Sequence, residues 1–150
     1  MKFFSNFFAN FYWELGLDLG SSNIKIYLKD KGVVVDEASM VARLKKKKNG
    51  VQKILIFGQK AKEMVNREPK QIEVVAPIQR GAIADLNSAE ALLAYFMKLI
   101  NEIPSPYPKI LKPKVIVGVP GTISNVQKRA FRSILSQVGV PKVVMVESSI

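Results

Sequence analysis

Residues 18–23 read Asp-Leu-Gly-Ser-Ser-Asn, a carboxylate, a glycine, two hydroxyls and an amide within six positions. At the end of a strand such a run makes a tight hairpin whose backbone N–H groups and hydroxyls converge on one spot, a nest suited to a phosphate. Asp18 at the strand end can hold Mg²⁺, usually through waters, because that ion sheds them reluctantly. Gly20 lets the backbone approach phosphates where a Cβ would collide. Ser21, Ser22 and Asn23 complete the polar set. Taken alone, the run suits an ordinary hairpin turn as well, since Gly and Ser are common there. The chain has no Cys and no His, which removes thiol catalysis, structural zinc, disulfides and a Ser-His-Asp triad. Chemistry must rest on carboxylates, hydroxyls, lysines and backbone.

The elements that must position this loop are read from period and punctuation. LGLDLG (15–20) and NIKIYLKD (23–30) read as strands around the Gly-Ser-Ser turn, and GVVVDEASMVARL (32–44) as a third. KKKKNG (45–50) followed by VQKILIFG (51–58) predicts a hairpin with a basic tip, and QKAKEMVNR (59–67) a short polar helix. From Asn87 to Asn101 the residues Ala89, Leu92, Leu93, Phe96, Met97 and Ile100 keep helical spacing, with Asn87 and Glu90 as a capping box. IPSPYPKILKP (103–113) is an extended loop by its prolines. KVIVGVP (114–120) is a buried strand, Ser124 with Gln127 caps a second helix, Gly139 closes it, and KVVMVE (142–147) is the last strand. Three strands in a meander, then helix, strand, helix, strand, is the order of an α/β ribonuclease-H-like half-domain, with part of 34–75 belonging to an insertion.

The 150 residues suffice for a sizeable core, and 48% hydrophobic residues with 9% aromatics place the chain among globular proteins, with disorder expected only at the termini. The formal charge of +11 suits nucleic acid, anionic lipid or a nucleotide, or serves only solubility. No run of apolar residues is long enough for a transmembrane helix.

Residues 1–14, MKFFSNFFANFYWE, differ in texture from the rest. On a helical wheel Phe3, Phe4, Phe7, Phe8, Phe11 and Tyr12 share a sector of roughly 180°, opposite Lys2, Ser5, Asn6, Ala9 and Asn10. Rings in such a stripe favour the bilayer interface. Burial of the same helix against the domain is the competing reading, and a secretory signal is disfavoured because no small-residue cleavage site follows. Lys45 to Lys48 could add roughly 1 kcal/mol each near an anionic leaflet, or form a solvated tip.

LGLDLGSSNIKIYLKDKGVVVDEASMVA (15–42) resembles the opening of the MreB family of bacterial actin homologues. FGQKAKEMVNREPKQIEVVAPIQRGAIADLNSAEALLAYFM (57–97) is similar to that family's small subdomain returning to the large one, and VIVGVPGTISNVQKRAFRSILSQVGVPKVVMVE (115–147) to its next unit. The resemblance implies an actin-like ATPase fold: an amphipathic membrane helix at 1–14, an N-terminal half at 15–150 with a small α/β insertion subdomain at 33–79, and a second half beyond residue 150. It implies ATP and Mg²⁺ between the halves, with Asp18, Gly20, Ser21, Ser22 and Asn23 on the first phosphate loop and Asp18 toward the metal. It also implies filaments of self-associated copies that determine rod cell shape at the inner face of the cytoplasmic membrane, with the cell-wall elongation machinery as partner. Ile110 and Leu111 fall where members insert a hydrophobic loop, though both could equally cover the core.

Two features depart from the family pattern. Ser21-Ser22 replaces Thr-Ala, keeping the first hydroxyl, and Glu147-Ser148 stands where two adjacent acids are usual, the second positioning the attacking water. Serine is no base at neutral pH, so turnover by this chain alone is not expected. The alternatives are a sugar-kinase-like or chaperone-like ATPase of the same superfamily, disfavoured by the 33–79 insertion, and a basic nucleic-acid-binding domain. The latter is disfavoured because the aromatics gather at the N-terminus instead of interleaving with a basic face.

Overall fold

The computed structural model describes residues 14–104 and 113–148. Strands β1 (Glu14–Leu19) and β2 (Asn23–Leu28) alternate so that Leu15, Leu17, Leu19, Ile24, Ile26 and Leu28 share one buried face. With β3 (Gly32–Ala38), β9 (Lys114–Pro120) and β10 (Lys142–Ser148) they form a five-stranded sheet in the order β10-β9-β1-β2-β3. The meander β1-β2-β3 is antiparallel, whereas β9 runs parallel to both β1 and β10. Helices α2 (Leu86–Glu102) and α3 (Asn125–Gln137) supply those crossovers, and Leu92, Phe96, Phe131 and Ile134 join the core made by the buried sheet face.

The expected strand 32–44 is two strands. β2 begins at Asn23, which pairs with Ala38, so beyond Ala38 the chain has no further partner in that sheet. It turns at Ser39, whose N–H donates to the Ser22 carbonyl at 2.9 Å, and enters a second sheet as β4 (Val41–Lys48). That sheet has the order β5-β4-β6, with β5 (Val51–Phe57) and β6 (Ile72–Val75) on either side. The β4–β5 turn is the expected hairpin, with Asn49 and Gly50 both at positive φ and Lys45 to Lys48 exposed. Sequence patterning had given no strand to β6, nor to the two-residue ribbon β7 (Ile78–Gln79) and β8 (Ala82–Ile83).

Two helix boundaries also differ. Helix α1 (Gly58–Lys62) is a single turn that continues to Arg67 as tighter turns, because its polar sequence buries only Gly58 and Ala61. For α2 the expected Asn87–Glu90 capping box gives way to Asp85, whose carboxylate accepts from the Ser88 N–H at 2.8 Å. For α3, Ser124 caps as expected by accepting from the Gln127 N–H at 3.2 Å, and Gly139 at φ +97 ends it.

Candidate functional site

Asp18 sits near the C-terminal end of β1, paired across the parallel ladder with Gly118 of β9. Crevices outside the carboxyl ends of parallel strands are where open α/β sheets take ligands. Here the crevice is a cleft of about 300 Å³ lined by Asp18, Leu19, Gly20 and Ser21 from the β1–β2 turn, Arg80 and Gly81 from the β7–β8 turn, and Gly118, Pro120 and Thr122 from the β9–α3 passage.

Each wall has a local physical cause. At Gly20 a Cβ would lie 2.4 Å from the Asn23 carbonyl oxygen, so the tightness of the turn itself demands glycine, whatever the cleft holds. Gly81, at φ +72, would place a Cβ 2.3 Å from the ring of Pro120, so its bareness lets the β7–β8 turn close on β9. Gly118 faces open space and leaves the floor of the cleft clear. From the first turn of α3, Gln127 clamps the β7–β8 wall by accepting from the Ile83 N–H at 2.9 Å and donating back to the Ile83 carbonyl at 3.5 Å. That use of the side chain explains why Gln127 does not complete a capping box.

Of the loop residues singled out from sequence, the structure brings Asp18, Gly20 and Ser21 to the cleft. The Ser21 hydroxyl accepts from the Arg80 N–H at 2.7 Å, which leaves its own proton for an acceptor in the cleft. Ser22 and Asn23 do not line it. The Ser22 carbonyl is engaged by Ser39, and the Asn23 amide donates to Asp36 at 2.7 Å, so that side chain fastens β2 to β3. Glu147, at the end of β10, pairs with Lys128 of α3 at 3.1 Å. The aromatic stripe Phe3 to Tyr12 and the pair Ile110 and Leu111 lie outside the described residues.

Sequence reasoning did not single out Arg80, Gly81, Gly118, Pro120 or Thr122. The dipeptides Arg80-Gly81 and Pro120-Gly121 are turn signals, but nothing in their spacing tells that both turns meet the loop at 18–21. Together the cleft offers one carboxylate, two hydroxyls, an exposed arginine and three glycines. Among the described residues no three carboxylates cluster as a metal cage. A single carboxylate fits a hydrated Mg²⁺ that takes its other ligands from phosphate oxygens and water.

A family model described as MreB/Mbl protein matches residues 12–150. The cell shape-determining protein MreB of Pasteurella multocida (strain Pm70) is 34% identical over 134 residues, covering 89% of this chain and 37% of that protein. MreB of Escherichia coli (strain K12) is 32% identical over 147 residues, covering 98% and 41%, and Mbl of Bacillus subtilis (strain 168) is 33% identical over 134 residues, covering 89% and 38%. The chain thus spans about two-fifths of the length of the curated relatives it matches. Among solved structures, MreB5 of Spiroplasma citri bound to ADP superposes with a TM-score of 0.76 at 24% identity, over 91% of this chain and 38% of that one. The MamK double helical filament gives a TM-score of 0.68 at 22% identity, over 91% and 41%. Those two likenesses establish an actin-like fold.

Proposed function

The chain belongs to the MreB/Mbl family of cell shape-determining, actin-like proteins, and on that premise we propose that its cleft is one wall of an ATP site in a filament-forming protein held at the inner face of the cytoplasmic membrane. The observation that carries the nucleotide part is the meeting of Asp18, Ser21 and Thr122 with Gly20 and Gly118 at the ends of parallel strands. Asp18 would hold Mg²⁺ through waters, and Ser21 and the backbone from Gly20 onward would face phosphate oxygens. Solved relatives of the fold described as bound to ADP and to AMPPNP support a nucleotide as the ligand.

Self-association rests on the family and on the likeness to the MamK double helical filament. Attachment to the bilayer rests on the aromatic stripe of residues 3–12 and on Ile110 and Leu111, and the cell-wall elongation machinery is the partner that a rod-shape role requires. No helix among the described residues is long and apolar enough to cross a membrane. The one-sided distribution of the rings in the stripe suits a peripheral attachment.

Calorimetric titration of Mg-ATP into the purified chain, beside an Asp18→Ala variant, tests the nucleotide reading. Weak binding that the substitution abolishes is expected. Tight binding that survives it would put the phosphates on another loop.

A further inference from the structure

Arg80 occupies the first corner of the β7–β8 turn at φ +50, a left-handed conformation that costs a residue with a Cβ about 1–2 kcal/mol. Two contacts hold it there: the Ser21 hydroxyl on its N–H, and the close packing of Gly81 on Pro120. A non-glycine residue kept in this region on the lip of a cleft is a reason to ask what its side chain does.

Two other cations, Arg43 of β4 and Lys128 of α3, are spoken for. Arg43 donates to Glu73 and Asp85, and Lys128 pairs with Glu147. Arg80 is exposed and lines the cleft, and among the described residues no carboxylate pairs with its guanidinium. Asp18, also exposed and on the same cleft, is likewise without an ion-pair partner among them. An acid and a base that share a cleft of about 300 Å³ without pairing leave room between them for a ligand carrying both a cation and an anion. A magnesium polyphosphate is such a ligand, with the metal toward Asp18 and phosphate oxygens toward Arg80.

We propose that the Arg80 guanidinium contacts the terminal phosphate of the bound nucleotide and makes the cleft prefer a nucleoside triphosphate over the diphosphate. The proposal rests on the nucleotide reading above and names the residue that sets its selectivity. The physical reason is charge: the magnesium complex of a triphosphate carries one more negative charge than that of the diphosphate, and an unpaired arginine rewards that excess. Because the Arg80 N–H also holds Ser21, the side chain that meets the terminal phosphate is covalently continuous with the backbone that braces the phosphate loop.

The test is an amide chemical-shift titration of the ¹⁵N-labelled chain with Mg-AMPPNP and with Mg-ADP at low salt, using wild type, Arg80→Ala, Arg80→Gly, Arg80→Lys and Asp18→Ala. Arg80→Gly keeps the N–H that bonds Ser21 and adopts positive φ without strain, so it separates loss of charge from damage to the turn. Wild type should favour AMPPNP over ADP by about tenfold, the size expected of a charge-assisted contact. In Arg80→Gly and Arg80→Ala the ratio should fall to near one, while Arg80→Lys keeps most of it. Equal weakening of both nucleotides, or an unchanged ratio in Arg80→Gly, overturns the role of Arg80 while leaving the nucleotide site in place. No shift at the Ser21 and Arg80 amides with either ligand, or no effect of Asp18→Ala, overturns the nucleotide reading and this proposal with it.

Discussion

The Arg43 guanidinium of β4 donates at 2.8 Å to Asp85, the residue whose other carboxylate oxygen caps α2. The same guanidinium holds Glu73 of β6 at 2.9 Å and the Ser88 hydroxyl at 2.8 Å, so one side chain joins the second sheet to the helix that packs on the first. With the Arg43 side chain only 12% exposed, its removal strands two partly buried carboxylates. Arg43→Ala should therefore cost about 2–3 kcal/mol in urea unfolding. A loss below about 0.5 kcal/mol would mean that the pairs behave as solvated surface bridges.

The same joint makes stability depend on acid. Partial burial alone opposes ionisation of Asp85, but donation from Arg43 and from Ser88 outweighs it and holds the carboxyl below its ordinary value. A lowered folded-state pKa contributes stability that is complete above the unfolded value, about 3.9, and is lost as pH falls through the folded one. Asp85→Asn should accordingly lose less stability than wild type between about pH 6 and about pH 3. Parallel pH profiles for the two proteins would remove Asp85 from the acid response.

What the sequence showed and what it hid divide by range. The β1–β2 turn, the Asn49-Gly50 hairpin, the Ser124 cap and the Gly139 stop depend on neighbours within a few residues, and each was readable from local chemistry. The cap of α2 was misread because Asp85 is chosen over Asn87 by Arg43, 42 positions away. The split of 32–44 was hidden because it depends on where β2 runs out of partners, which strand propensity does not record. In the cleft, Asp18, Gly20 and Ser21 were legible as a loop. Arg80 was not, because its bond to Ser21 joins positions 59 apart.

Gly81 supplies a test of the cleft's architecture. An added Cβ meets the rigid Pro120 ring at 2.3 Å, and φ +72 adds strain, so Gly81→Ala should cost above about 2 kcal/mol and displace the β7–β8 turn. Gly32→Ala is the control, since φ there is +77 with nothing within 4 Å, and strain alone should cost about 1 kcal/mol. Equal losses in thermal or urea unfolding would show that the turn does not lean on Pro120.

Ser39 is fully buried at the junction between the two sheets, and its hydroxyl has no hydrogen-bond partner among the described residues, although its N–H holds Ser22. Burying an unpaired hydroxyl is unfavourable, and alanine keeps both the N–H and the Cβ. Ser39→Ala should thus be neutral or stabilise by up to about 1 kcal/mol in urea unfolding. A loss of that size instead would show that the hydroxyl has a partner, such as an ordered water.

The membrane reading stands on the stripe Phe3, Phe4, Phe7, Phe8, Phe11 and Tyr12, with Lys2, Ser5, Asn6 and Asn10 opposite. A helix with one aromatic face and few charges gains most of its binding from ring burial at the interface, and anionic lipid adds to it through Lys2 and the exposed Lys45 to Lys48. Deleting residues 2–12 should therefore abolish co-sedimentation of the chain with anionic liposomes. Changing Lys45 to Lys48 together to Gln should weaken it by no more than roughly 1 kcal/mol per lysine. The two changes separate the contributions, because the aromatic term persists at high salt and the lysine term is screened within about 8–10 Å. Full sedimentation of the deleted chain would move the stripe from the bilayer to the protein's own core. In that case the deletion should lower the unfolding midpoint, which a membrane helix would leave unchanged.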